Sequence, residues 1–135
     1  MKSITVPAEL NELEAVQAFI SAELEAADCP LKAKLQIEVA VEEIFVNIAR
    51  YAYHPEAGEA TIRFAVEEEP LRVMIQFLDN GRPFNPLEKE DADTTLSAED
   101  REIGGLGILM VKKSMDAVAY SYENGYNILT IKKGL

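Results

Sequence analysis

The sequence predicts an α+β fold, a two-layer α/β sandwich in which helices cover one face of a mixed, mostly antiparallel sheet. Three observations carry that prediction. The elements read in the order β-α-α-β-β-loop-α-β-β, so strands come in pairs rather than in strict alternation with helices. The last two strands flank Asn124-Gly125, a strong two-residue hairpin signal. The chain has 135 residues, 48% apolar and 27% charged, which is enough for one domain over 1–135 with a real core and hardly enough for two.

Each element has its own local reason. Residues 2–6, KSITV, alternate polar and apolar as a short strand does. Pro7 then suits the first turn of a helix, where its missing N–H would be unpaired anyway. From Ala8 to Ala27 the residues Leu10, Leu13, Val16, Ala18, Phe19, Ile20 and Leu24 form one apolar face, with glutamates opposite. The run ADCP breaks this helix. A second helix runs from about Leu31 to Tyr53, with a stripe that includes Leu35, Val39, Ile44, Val46 and Ile48, and His54-Pro55 ends it.

The stretches EATIRFAVEEE and LRVMIQFLD alternate at period two, the second with Leu71, Val73, Ile75 and Phe77 on one face. After DNGRPFNP the segment LEKEDADTTLSAEDRE is acidic and nearly free of large apolar residues, so it reads as a long loop. A glycine cluster and a helix to about Ser114 follow. The hairpin strands AVAYSY and YNILTIKK close the chain.

The net charge is −11. That disfavours non-specific binding to nucleic acid or to an anionic membrane, both of which want a basic face. No apolar run approaches the ~18 residues of a membrane span, and MKSITVPAEL lacks the apolar core and cleavage site of a signal peptide. A cytoplasmic location is the default expectation. Cys29 is the only cysteine, so no disulfide forms within the chain. It reads as a small buried apolar residue, because a catalytic thiol needs a base and the only histidine, His54, lies in the turn-like YHPEAG.

Three polar islands interrupt the apolar patterning. The first is Gly104, Gly105 and Gly107, crowded where a helix begins. Glycine there costs backbone entropy. Either it serves as a hinge into the helix, or bare backbone and free N–H groups at a positive dipole end meet phosphate oxygens. There is no Walker A pattern, and Met110 stands where a dinucleotide fingerprint needs its third glycine. The second island is DNGRPF, Asp79 to Phe84. It is a tight turn, or a site where Asp79 accepts a hydrogen bond from a ligand amine while Gly81 lets the ligand approach. Taken alone the tight turn is the favoured reading, although this turn leads into a loop and not into another strand, which pulls the other way. The third island is VEEIFVNIARYAY. Glu43 and Asn47 are four apart and share a helix face. They form a solvated polar edge, or they serve a hard cation such as Mg²⁺ and a proton acceptor.

In order, these are E-x-x-x-N on a helix, D-x-G-x-P-F after a strand, a polar lid, and G-x-G opening a helix. That succession resembles the GHKL, or histidine kinase-like, ATPase superfamily from about Leu31 to the end, and so implies the Bergerat type of sandwich. Length and phrasing, EDREIGGLGILMVKKSMD above all, look most like the stand-alone anti-sigma factor serine/threonine kinases of the RsbW and SpoIIAB type. The resemblance implies ATP and Mg²⁺ as cofactors. It gives Asn47 the role of metal ligand and Glu43 that of general base. It places Asp79 at the adenine amino group and Gly81 under the adenine. It sets Gly104, Gly105, Leu106 and Gly107 at the phosphates, and makes 85–103 the ATP lid. Glu43 and Asn47 would then stay about 6 Å apart, one helical turn.

Arg101 either reaches the phosphates or is a solvated lid residue, while Lys112 and Lys113 read as surface charges. Two departures stand out. Tyr51 occupies the place where relatives often carry histidine, and the residue near the adenine on the last strand is either Asn127 or Thr130. By resemblance the chain is an ATP-dependent protein serine/threonine kinase and anti-sigma factor. It would phosphorylate a STAS-domain anti-anti-sigma protein, bind a sigma factor, and form a homodimer. The alternative is a non-catalytic ATP-binding partner-switch module. A histidine-kinase fragment is disfavoured, because His54 beside Pro55 is a poor phosphoacceptor. The first helix packs as core or offers a partner face.

Overall fold

The computed structural model describes residues 1–53, 57–88 and 105–135. Its order is β1 (Lys2–Pro7), a 3₁₀ turn at Leu10–Glu12, α1 (Leu13–Ala26), α2 (Leu31–Asn47), a π-helical turn at Ile48–Ala52, β2 (Glu59–Glu67), β3 (Arg72–Asp79), a 3₁₀ turn at Pro86–Glu88, α3 (Gly105–Ser114), β4 (Ala117–Glu123) and β5 (Tyr126–Gly134). The five strands form one sheet in the order β1-β2-β3-β5-β4. The expected α+β sandwich is present, and among the described residues every strand pairing is antiparallel rather than mixed.

The core lies between one sheet face and the helices. Across the strands the rows Ile62–Phe77–Leu129 and Phe64–Ile75–Ile131 are all buried. They meet Val16, Ile20 and Leu24 of α1, Ile37, Val41, Ile44 and Phe45 of α2, and Val111 of α3. Each such side chain contributes roughly 1.5–3 kcal/mol relative to exposure. Among the described residues, no helix is long and apolar enough to cross a membrane.

Three local expectations change. Pro7 does not open a helix. It ends the edge strand β1 opposite Glu59, where a missing N–H breaks no ladder, and Ala8 N donates to Gly58 O at 2.8 Å just beyond it. The first helix therefore starts at Leu13, and Leu10 and Ala18 lie outside the buried stripe. It stops because Asp28 takes a left-handed φ of 55°. Asp28 N then bonds Glu25 O and Cys29 N bonds Leu24 O, which pairs the carbonyls a helix end leaves open. Cys29 is half-buried, and burial pushes its thiol above the usual range.

On α2 the buried stripe is Ala33, Ile37, Ala40, Val41, Ile44 and Phe45. Leu35 and Val39 are 53% and 43% exposed, contrary to the sequence reading. Apolar residues surround this helix, so its pattern admits more than one phase, and packing selects the phase that buries Ala33 and Ala40 with Ile37, Val41, Ile44 and Phe45. Leu71 likewise precedes β3 and is exposed. Finally, α-helical winding stops at Asn47 rather than running to Tyr53, and one π turn takes over. His54 lies outside the described residues.

Candidate functional site

The apolar face of the sheet carries polar groups at one end only. Residues 73, 75, 77 and 79 of β3 alternate inward, as do 127, 129 and 131 of β5, and Asp79 pairs with Asn127 across the two strands. Asp79 and Asn127 are 6% and 7% exposed, and they are the buried polar residues of the described chain. Burying a carboxylate is costly unless hydrogen bonds compensate. Here Asn127 Nδ2 donates to Asp79 Oδ1 at 2.9 Å and Gly81 N donates to the same oxygen at 3.0 Å. Desolvation nonetheless dominates and raises the Asp79 pKa above the usual carboxylate range, with the two hydrogen bonds opposing it. Among the described residues, Oδ2 has no hydrogen-bond partner.

The amide of Asn127 is fully engaged. Its Nδ2 also donates to Arg82 O at 2.9 Å, and its Oδ1 accepts from Phe84 N at 3.1 Å and from the Tyr120 hydroxyl. Sequence left Asn127 and Thr130 as alternatives, and the sheet separates them. Thr130 points to the opposite face, where its Oγ1 accepts from Gln76 Nε2 at 3.3 Å.

Above this polar end lies a cleft of about 530 Å³ of open space, part of it continuous with solvent. One wall is Ile44, Asn47, Ile48, Tyr51 and Ala52, from the last turn of α2 and the π turn. The other is Asp79, Arg82, Phe84 and Pro86, and the floor is Phe77, Tyr120, Asn127 and Leu129, with Ile108 of α3 closing the end. The π turn matters to this shape. Its last carbonyls have no partner beyond the helix end, and the loop after β3 takes them up. Arg82 N bonds Ala52 O at 3.3 Å, and the Arg82 guanidinium bonds Tyr51 O at 3.1 and 3.3 Å. Tyr53 ties the same corner, accepting from Asn80 N at 2.8 Å and donating to Glu59 O at 2.6 Å.

The structure brings Asn47 and Asp79 into one cleft. Asn47 is half-buried, and its amide has no hydrogen-bond partner among the described residues. Glu43 sits one turn earlier, outside the cleft wall, with its carboxylate against α3. A Cβ on Gly107 would fall 1.9 Å from Glu43 Oε2, so only glycine fits there. Gly81 is constrained in the same way, since its Cβ would fall 2.3 Å from Ala52 O. Both glycines thus permit close packing within the protein, while the resemblance gives them a part in ligand approach. Gly105 and Leu106 begin α3. Gly104, Arg101 and residues 89–103 of the expected lid lie outside the described residues, and of that segment Asn85–Glu88 are described. Lys112 is half-buried and Lys113 exposed.

Sequence reasoning missed Tyr120 as part of the site, and it gave Arg82 and Phe84 no role beyond their place in the DNGRPF island. Asn127 had a usable signal, because it stands in phase with Leu129 and Ile131 where an apolar residue is expected.

A family profile described as the histidine kinase-like ATPase domain matches residues 6–133. The chain is 31% identical over 101 residues to a serine-protein kinase RsbW of Listeria monocytogenes, covering 71% of this chain and 63% of that protein. It is 30% identical over 100 residues to a serine-protein kinase RsbW of Bacillus cereus, covering 71% and 61% respectively. The match thus spans about three-fifths of the length of these curated relatives.

Proposed function

The chain belongs to the histidine kinase-like ATPase family, and on that premise we propose that it is an ATP-dependent protein serine/threonine kinase and anti-sigma factor. Its substrate would be a serine or threonine of a STAS-domain anti-anti-sigma protein. The observation that supports this reading is that Asn47 and Asp79 line one cleft, with Glu43 one turn from Asn47 against the first turn of α3.

Each group has chemistry suited to its role. Asp79 offers a buried acceptor to the adenine amine, and Phe77, Ile44, Ile48 and Leu129 offer apolar surface to the ring. Asn47 would present one hard oxygen of the kind Mg²⁺ takes. When bound, the metal supplies positive charge against the phosphates, which a chain of net charge −11 otherwise repels. The N-terminal turn of α3 adds its dipole to the same end. Glu43 accepts the proton of the attacking hydroxyl, and Gly107 leaves the room in which its carboxylate stands.

The test is calorimetric titration of Mg-ATP into the wild type, Asn47→Ala and Asp79→Ala, with label transfer from radiolabelled ATP to candidate STAS proteins. Binding lost in both variants, with label on a STAS serine or threonine, supports the kinase. Binding without transfer to any candidate favours the non-catalytic switch module, and no binding in the wild type overturns the nucleotide assignment.

A further inference from the structure

We propose that Arg82 is a positioning residue that ties the helix end of the cleft to its sheet end, and so sets how well Asn47 meets Mg²⁺ once a nucleotide is bound. The inference rests on the ATP reading above and adds to it the residue that joins the two halves of the site. Arg82 is bonded in both directions. Its carbonyl faces the sheet and accepts from Asn127 Nδ2 at 2.9 Å. Its N–H faces the helix and donates to Ala52 O at 3.3 Å. Its guanidinium reaches the same way, with Nε and Nη2 donating to Tyr51 O at 3.3 and 3.1 Å. Asn47, Tyr51, Ala52, Arg82 and Asn127 all line the one cleft.

The helix side needs such a tie. α-Helical winding ends at Asn47, and the π turn Ile48–Ala52 carries the chain onward. Single π turns are rare and recur at functional sites. The last carbonyls of this one lie past the end of the winding and must be met by groups from elsewhere. Arg82 meets two successive carbonyls and sets a cation at the negative end of the helix dipole. A guanidinium suits the task, because its planar fork brings two N–H groups to one oxygen where an ammonium is a point charge. Tyr51 stands four residues beyond Asn47, one turn along the same side. Holding the Tyr51 carbonyl therefore sets the rotation of the turn that carries Asn47, whose own amide has no hydrogen-bond partner among the described residues. On the sheet side, Arg82 follows directly on the turn that Gly81 N closes onto Asp79 Oδ1 at 3.0 Å. Asp79 and Asn47 are thus joined through Arg82 and Tyr51, although those two stand 31 positions apart in sequence.

The experiment measures ATP affinity by calorimetry, with Mg²⁺ and in EDTA, for the wild type, Arg82→Ala, Asn47→Ala and the double variant. Amide hydrogen exchange over Ile48–Ala52 is followed alongside. In the wild type Mg²⁺ should strengthen ATP binding. In Arg82→Ala that gain should shrink by about 5–20-fold through loss of the guanidinium bonds, while affinity in EDTA changes less than about threefold. The π turn should exchange faster in the same variant. Because Arg82 acts through Asn47, adding Arg82→Ala to Asn47→Ala should change the gain less than about twofold further. Arg82→Lys keeps the cation without the fork and should shrink the gain by about 2–5-fold; it carries the test if the alanine variant does not fold. Parallel losses with and without Mg²⁺, or additive losses in the double variant, would mark a merely structural strap and overturn the inference, as would an unchanged gain in Arg82→Ala. A wild type that binds ATP equally with and without Mg²⁺ overturns it while leaving the nucleotide site intact. A wild type that binds ATP in neither condition overturns the ATP reading and the inference together.

Discussion

The two ends of the cleft are built on opposite plans. At the sheet end, Asp79 and Asn127 are buried, and Asn127 has every hydrogen-bonding position filled. At the helix end, Glu43 and Asn47 are half-buried, and Asn47 has no hydrogen-bond partner among the described residues. The first plan fixes a single geometry, which suits recognition of a rigid base. The second leaves polar atoms available, which suits groups that must meet metal, phosphate and an incoming hydroxyl. Rigidity comes from strands whose register sets the pair, and availability comes from a helix end where backbone winding changes.

If this division holds, changes at the helix end should act on rate and changes at the sheet end on affinity. The largest effect is expected for Glu43→Gln. Phosphoryl transfer should fall by about 10²–10⁴-fold, while Mg-ATP affinity, read by calorimetry, should stay within about threefold. A large loss of affinity instead would merge the two ends. Next is Asp79→Ala, which should weaken Mg-ATP by about 10–100-fold, since it removes the buried carboxylate proposed to accept from the base.

Gly107→Ala comes third. Its Cβ would overlap the Glu43 carboxylate, so either Glu43 or α3 must shift, at a cost of about 1–3 kcal/mol in denaturant unfolding. Transfer should fall with it, because Glu43 moves. Gly81→Ala should cost a similar amount against the Ala52 carbonyl. It sharpens the comparison by perturbing affinity without lowering the rate at saturating nucleotide.

The smallest effect concerns pH. Burial raises the Asp79 pKa, so its ionised form destabilises the folded state. That penalty is complete above the folded-state pKa and is relieved as pH falls toward the ordinary carboxylate range. Asp79→Asn removes the charge and keeps an oxygen for Gly81 N. At neutral pH it should melt higher than the wild type, by roughly 0.5–1 kcal/mol, and the advantage should shrink on acidification. Its nucleotide affinity should fall despite the added stability. A variant that loses stability at neutral pH would show that the hydrogen bonds outweigh burial. As a control remote from both ends, Arg72→Ala loosens the ion pair that holds the half-buried Glu67 carboxylate below its usual pKa, and it should leave nucleotide affinity unchanged.

Legibility from sequence divides along similar lines. Asp79 was readable because it closes a strand of alternating apolar residues and is followed by turn residues that lead nowhere regular. Glu43 and Asn47 were readable because helical spacing alone puts them on one side. The buried phase of α2 was not readable, since Leu35 and Val39 are as apolar as Ile37 and Val41. The π turn after Asn47 had no local signal either. It is held by Arg82 and Gly81, about thirty residues further on. Pro7 was ambiguous because an edge strand and a helix start tolerate a missing N–H equally well.

By itself the sequence determined the succession of elements, the Asn124-Gly125 turn with its left-handed φ values of 53° and 84°, and the polar islands at the ends of apolar runs. These depend on spacing over a few residues, where sterics and hydrogen bonding act locally. Tertiary structure alone decided which side of α2 is buried, that Asn127 rather than Thr130 faces Asp79, and that the missing side chain of Gly107 makes room for Glu43. Those outcomes depend on which distant surfaces meet, and the free energy that selects them comes from burial and packing summed over the whole core rather than from any one stretch of chain.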